Sequence, residues 1–318
     1  MLARALGRLG RWARPKIAVS VWSSGVGLAR TLLALGTVGT VLATNPQALM
    51  SPLSNGVTPP VCVGLTNAGV WCLAPDNLAV GRWLSIAVLL VVASGWRPGW
   101  TAIPHWWVSW SLMANATIQD GGDQITTVLT LLLIPICLTD GRRWHWQQPT
   151  APSPAPGVRH VIARITLLVI QIQMAVLYLH ASMAKLGVAE WADGTAMYYW
   201  SRHQTFGTAP WLRPVVDLMV SSPLGVALIT WGSVALEFTL AVAIFLRPKA
   251  RWWLLIAGLA FHAFIALDMG LVSFFAAMAG GLLLYLLPVG YHVDAHYLYR
   301  KLIQRTPATV QSRPEVAG

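Results

Sequence analysis

The feature that most constrains this chain is a succession of long, nearly uncharged runs. "VLLVVA", "TVLTLLLIPICL" and "ITLLVIQIQMAVLYL" are parts of stretches roughly 17–25 residues long, the length needed to cross a bilayer. Charged residues make up 10% of the 318 residues, against about 25% in a soluble domain. In hydrocarbon every backbone N–H and C=O must be paired internally, so such runs fold as helices. The expected fold class is all-α, a polytopic transmembrane helix bundle. Spans are predicted at about 18–43, 79–96, 101–118, 123–139, 159–185, 224–246, 251–268 and 270–289, about eight in number.

The charges between the runs predict orientation. Arg4 to Lys16, Arg97, Arg142, Arg143, Arg159, Arg247, Lys249, Arg251, Arg300, Lys301 and Arg305 all fall on one side of an eight-span alternation. Residues 44–78 and 119–122 carry no Lys or Arg, and Arg82, Arg202 and Arg213 are the exceptions on that side. Cytoplasmic loops are enriched in Lys and Arg, so a multi-pass protein of the cell membrane with both termini cytoplasmic is expected. This accounts for the net charge of +11 without a nucleic-acid partner. The partner implied by composition is the lipid bilayer, and the 17 Trp suit its interfaces.

The expected organisation is a basic N-terminal segment 1–17, a transmembrane domain 18–290 and a cytoplasmic tail 291–318. The first segment reads as an uncleaved signal-anchor start or as a basic interfacial helix. A Pro-rich linker, "QQPTAPSPAPG", separates four spans from four. No internal repeat supports a transporter. Cys62 and Cys72 share one predicted external loop, where a disulfide can form, and Cys137 reads as a packing residue. No phosphate loop, dinucleotide fingerprint, nucleophile elbow or paired metal-ligand spacing appears. Asp123, entering the fourth span, reads as a helix cap.

Ionisable groups inside spans cost about 2.5–3.5 kcal/mol at the bilayer centre on insertion scales, so each needs a partner or a task. Arg30, Arg164, Lys185, Glu237 and His262 are the candidates, with His180 close to Lys185. Arg30 and Arg164 are the charge-matching choices for Glu237, either as a brace between helices or as a site. The segment after Lys185, "LGVAEWADGTAMYYWSRHQTF", is too aromatic for an ordinary loop and is expected to fold back as an interfacial or re-entrant roof over a cavity. A lysine beneath that roof is a candidate base. Trp191, Tyr198, Tyr199 and Trp200 would give aromatic walls suited to a planar ring, and Asp193-Gly194 the turn. The plain alternative for Lys185 is snorkelling to the interface.

The same residues carry a resemblance. Tyr178, Lys185-Leu186, Trp191, Asp193-Gly194, Tyr198-Tyr199 and "SRH" at 201–203 resemble the horizontally transferred transmembrane (HTTM) family, as do "FHAFIALDMGLVSFFAAM" at 261–278 and "DGGDQ" at 120–124. That family includes the membrane half of vitamin K-dependent gamma-carboxylases and bacterial sporulation-delaying protein B-like proteins. The carboxylases also carry a large lumenal domain, whereas this chain ends soon after the eighth predicted span, so the resemblance points to the bacterial branch. It implies Lys185 as a catalytic base and His262 as a second catalytic candidate. Substrate-binding candidates are His180, Trp191, Asp193, Tyr198, Tyr199, His203 and Glu237. It further implies a reduced, vitamin K-like quinone as cofactor, an exported peptide as substrate and a small accessory protein as partner. The competing expectation is a non-catalytic binding, immunity or export-accessory protein in which Lys185 and Glu237 brace the bundle.

Overall fold

A computed structural model describes residues 18–53, 56–117, 120–148 and 157–292. The basic segment 1–17, most of the Pro-rich linker and the tail from 293 lie outside the described residues. The long helices are α1 (Ser24–Ala43), α2 (Leu78–Ser94), α3 (Pro98–Asn115), α4 (Gly121–Leu138), α5 (Val158–Leu186), α6 (Pro223–Ala241), α7 (Pro248–Met269) and α8 (Val272–Leu286). Each falls on one of the predicted runs. α1, α4, α5, α7, and α6 with its 3-10 extension to Phe245, are long and apolar enough to cross a membrane. α2 and α8 are apolar but shorter, and α3 is more polar. The fold is therefore all-helical, and the chain is a multi-pass membrane protein.

Local chemistry sets the helix ends. Side chains of Ser23, Asn77, Asp120 and Ser222 accept backbone N–H bonds in the first turns of α1, α2, α4 and α6. Asp123 was expected to cap α4, but the cap is Asp120, whose Oδ1 accepts from Asp123 N at 2.8 Å. The two acids are three residues apart, and only the first precedes the helix. α2 and α7 end on Gly95 (φ 87°) and Gly270 (φ 76°), left-handed positions that favour glycine.

α8 is the axis of the bundle, packing against α1, α4, α5 and α7. Its run of small residues lets neighbouring backbones approach: a Cβ on Gly280 would meet Ala29 O at 3.0 Å, and one on Gly281 would meet the Met174 side chain. Its face from Ala277 to Gly281 is buried. The outside is apolar instead of charged. Ile162, Ile165, Val169, Ile172 and Val176 of α5 are exposed, as are Trp231 and Phe238 of α6 and Trp253 and Ile256 of α7. Apolar surface on that scale belongs against lipid. Between α1 and α2, Cys62 and Cys72 are joined by a disulfide, Sγ–Sγ 2.07 Å. Cys137 is free and buried.

Candidate functional site

α5 has 29 residues, about 43 Å of helix against a hydrocarbon core of about 30 Å. Its face carrying Tyr178, Ser182 and Lys185 turns toward α6 and α7. α6 presents Ile229, Ser233, Leu236 and Glu237 along one face, and α7 presents Phe261, Ile265 and Asp268. Between them lies an open cavity of about 710 Å³.

Lys185 and Glu237 meet in its wall. Lys185 Nζ donates to both Glu237 carboxylate oxygens, at 2.7 and 2.6 Å. The Glu237 side chain is 8% exposed and that of Lys185 24%. Lys185 Nζ also lies 5.3 Å from the Trp191 ring centroid, within cation–π range. Arg30 and Arg164 are not the partners of Glu237. Arg30, on α1, donates to Thr101 Oγ1 at 2.6 Å. Arg164 precedes Lys185 by 21 residues on the same helix, about 30 Å away along its axis. Two helical turns back along α5, His262 Nε2 and the Tyr178 hydroxyl are 3.0 Å apart, both groups buried. Phe261 and Phe274 pack edge-on against the imidazole.

The chain after α5 walls the cavity. Short helices Ala189–Ala192 and Ala196–Ser201 are joined by a turn in which Asp193 Oδ1 accepts from Thr195 N and Oγ1, at 2.9 and 2.7 Å. Gly194 adopts φ 87°, and a Cβ there would meet the Trp231 ring at 3.0 Å. Met197 N donates to Thr230 Oγ1 of α6 at 3.2 Å, and Ala209 N to Asp268 O of α7 at 2.7 Å. These bonds fasten the segment over the gap between α6 and α7.

Of the residues singled out in the sequence, Lys185, Glu237, His262, Trp191 and Trp200 line the cavity. His180 is exposed on α5 and is not among the lining residues. Tyr198 and Tyr199 are also exposed and away from the lining, because the helical spacing that turns Met197 and Trp200 inward turns them outward. Asp193 makes the turn described above. His203 Nδ1 accepts from Thr205 N and Phe206 N at 3.2 and 3.1 Å, and its ring stacks on Phe206. It thus positions Phe206, which lines the cavity. The sequence reading missed Met197, Phe206, Asp268 and the pairing of Tyr178 with His262. The periodicity of "FHAFIALD", which puts Phe261, Phe264 and Asp268 on one face, was the available signal.

The lining sets one lysine against three carboxylates, those of Glu237, Asp120 and Asp268, amid mostly aromatic and aliphatic surface. Fold and cavity together define a multi-pass helical membrane protein with an acid–base pair opening into an aromatic-walled pocket. Residues 153–285, the part that builds most of that pocket, match the HTTM domain. The chain is 39% identical over 288 residues to the uncharacterized protein YitO of Bacillus subtilis (strain 168), covering 88% of this chain and 91% of that protein. It is 32% identical over 279 residues to the sporulation-delaying protein SdpB of the same organism, covering 87% and 85%. The chain belongs to the HTTM family, in its sporulation-delaying protein B-like branch. No solved structure matches it.

Proposed function

We propose that this protein is a cell-membrane maturation factor that acts on an exported peptide, using Lys185 as a base in an externally open cavity. The observation that carries the reading is the Lys185–Glu237 pair at 2.6–2.7 Å, set in the wall of an aromatic cavity and not sealed in a packed interface. As a unit the pair is neutral either as ammonium and carboxylate or as amine and carboxylic acid. A proton moving from Nζ to Glu237 leaves an amine facing the cavity without changing the net charge held in the membrane. Lys185 Nζ is then the atom placed to take a proton from a group held in the pocket. His262, bonded to Tyr178 below it, is a second proton station.

In this reading the eight long helices all cross the bilayer, residues 18–290 form one domain, and both termini are cytoplasmic. The segment after α5 dips to membrane depth as a re-entrant roof, its backbone bonded to α6 and α7. The pocket also fits the ring of a reduced quinone. Its volume of about 710 Å³ lies within the range of small-molecule sites, and Trp191, Trp200, Phe206 and Phe274 give flat apolar faces beside the Lys185–Glu237 pair. Such a group supplies an acidic ring hydroxyl and reducing equivalents when bound. Trp191 and Trp200 would flank it, and Lys185 would face its hydroxyl. The relation to a sporulation-delaying protein supports an exported-peptide context, with a small accessory protein as the further partner.

The test is solvent extraction of protein purified from its native membrane, followed by mass spectrometry for quinones. The control is Gly232→Phe: Gly232 lines the cavity, and a Cβ there meets nothing within 4 Å, so the new ring fills the pocket without a backbone clash. Near-stoichiometric quinone in the native protein and its depletion in the variant are expected. Equal traces in both remove the quinone from the reading.

A further inference from the structure

Asp268 lies on the lining face of α7 and is 2% exposed, yet its Oδ1 has no hydrogen-bond partner among the described residues. Nearly every buried carboxylate oxygen has a donor, so an orphan beside a cavity marks a place for one. Its backbone carbonyl is already engaged by Ala209 N. The hydroxyl of Thr208, 3% exposed, approaches the carboxylate but forms no hydrogen bond of normal geometry. Asp120 lines the same cavity, with Oδ1 accepting from Asp123 N and Oδ2 from Ser273 Oγ at 3.2 Å. The ammonium of Lys185 is matched by Glu237, so nothing in the lining balances these two acids. The nearby cations are turned away. Exposed Arg213 donates to Thr208 O at 3.4 Å, and Arg202 lies 3.7 Å from Asp217 and 4.0 Å from the Tyr198 ring. The rest of the wall is apolar and aromatic, including Trp200 and Phe206.

We propose that the cavity binds, at Asp268, a primary ammonium group carried on an apolar body, namely the amine of an apolar peptide. The Asp268 carboxylate accepts a charge-assisted hydrogen bond from the ammonium, and the aromatic faces add cation–π attraction. The aliphatic part of the ligand fills the remaining volume. This rests on the cavity being a substrate pocket, but not on Lys185 acting as a base or on a quinone being bound.

The experiment uses the full-length protein in neutral detergent and a short leucine–alanine peptide amide, with its amino terminus free or acetylated. Affinities are read by native mass spectrometry. The free amine is expected to bind about tenfold tighter or more, the scale of one charge-assisted hydrogen bond. That preference falls to about twofold or less in Asp268→Asn. Equal binding of the two peptides, binding of neither, or a preference that survives Asp268→Asn overturns the proposal. Should Asp268→Asn not fold, competition on the native protein decides: decylammonium displaces the free-amine peptide and decanol does not, whereas equal displacement overturns it. Phosphatidylethanolamine displacing the peptide as well as decylammonium does assigns the site to a lipid amine and overturns the peptide assignment. Loss of the amine preference with quinone still bound separates failure here from failure of the function above.

Discussion

Lys185 and Glu237, 52 residues apart in the chain, place three polar atoms within 2.7 Å of one another across the α5–α6 contact. Neither charge has another opposite charge beside it among the described ion pairs. Removing one partner therefore strands the other in a poorly solvated wall. Glu237→Leu or Lys185→Met alone is expected to lower unfolding stability by about 2–3 kcal/mol, the lower range for a broken buried pair because Lys185 is partly exposed. The double change is expected to lie within about 1 kcal/mol of the native protein, since no charge remains unpaired. Thermal unfolding of the four proteins in one detergent measures this. Additive losses would show that the pair is not energetically coupled.

At the opposite end of the bundle, His145 in the α4–α5 connection is 1% exposed and packs on Gly27 and Gly95. Burial, reinforced by the charges of Arg30 and Arg142, lowers its pKa to about 3. The folded protein thus keeps this ring neutral while the unfolded chain protonates it below about 6.5. Between those values the unfolded state binds more protons, so stability falls as pH falls. The loss is about 2 kcal/mol between pH 6.5 and 5, and it is absent above pH 7. Melting curves of the native protein and His145→Gln across pH 5–8 isolate the effect. Parallel acid profiles in the two proteins are the contrary outcome.

The orientation has its own check. Asn67, between α1 and α2, and Gln148, after α4, are both exposed. In a background lacking Cys62, Cys72 and Cys137, an impermeant maleimide applied to intact cells is expected to label Asn67→Cys and spare Gln148→Cys. Labelling of both from outside contradicts cytoplasmic placement of the 139–148 loop.

Helix positions were readable because the restriction on backbone polar groups in lipid leaves apolar length as a direct signal. The eight predicted runs accordingly coincide with α1 to α8 within a few residues. Lys185, Glu237 and His262 were readable because ionisable groups inside apolar runs are conspicuous. Partnerships were not readable. Glu237 could be matched to Arg30 by charge, but depth and helix adjacency decide, and α6 packs chiefly against α5. Tyr198 and Tyr199 looked like cavity walls because the roof is aromatic throughout. Which rings face inward depends on the phase of a short helix, Ala196–Ser201, whose six residues are too few for sequence periodicity to fix. Asp268 was hidden near a helix end, where acids are unremarkable, and only its burial without a partner distinguishes it.

The role of Lys185 itself is tested by two substitutions that differ in one property. Arginine retains the charge and can reach Glu237, but it does not release its proton in a protein. Alanine removes both charge and reach. If the lysine only braces α5 against α6, Lys185→Arg keeps the ion pair and most of the activity, and Lys185→Ala loses both. If Nζ must be deprotonated during turnover, both variants lose activity by about a hundredfold or more, the usual scale of a general base, while Lys185→Arg retains near-native membrane levels. The readout is maturation of the exported peptide proposed above as substrate, with membrane levels measured in parallel. Glu237→Gln adds a third point. It leaves Lys185 without a proton acceptor, so a base mechanism predicts loss of activity even at a pH where the folded protein accumulates normally. An active Lys185→Arg assigns the pair to structure and ends the catalytic reading.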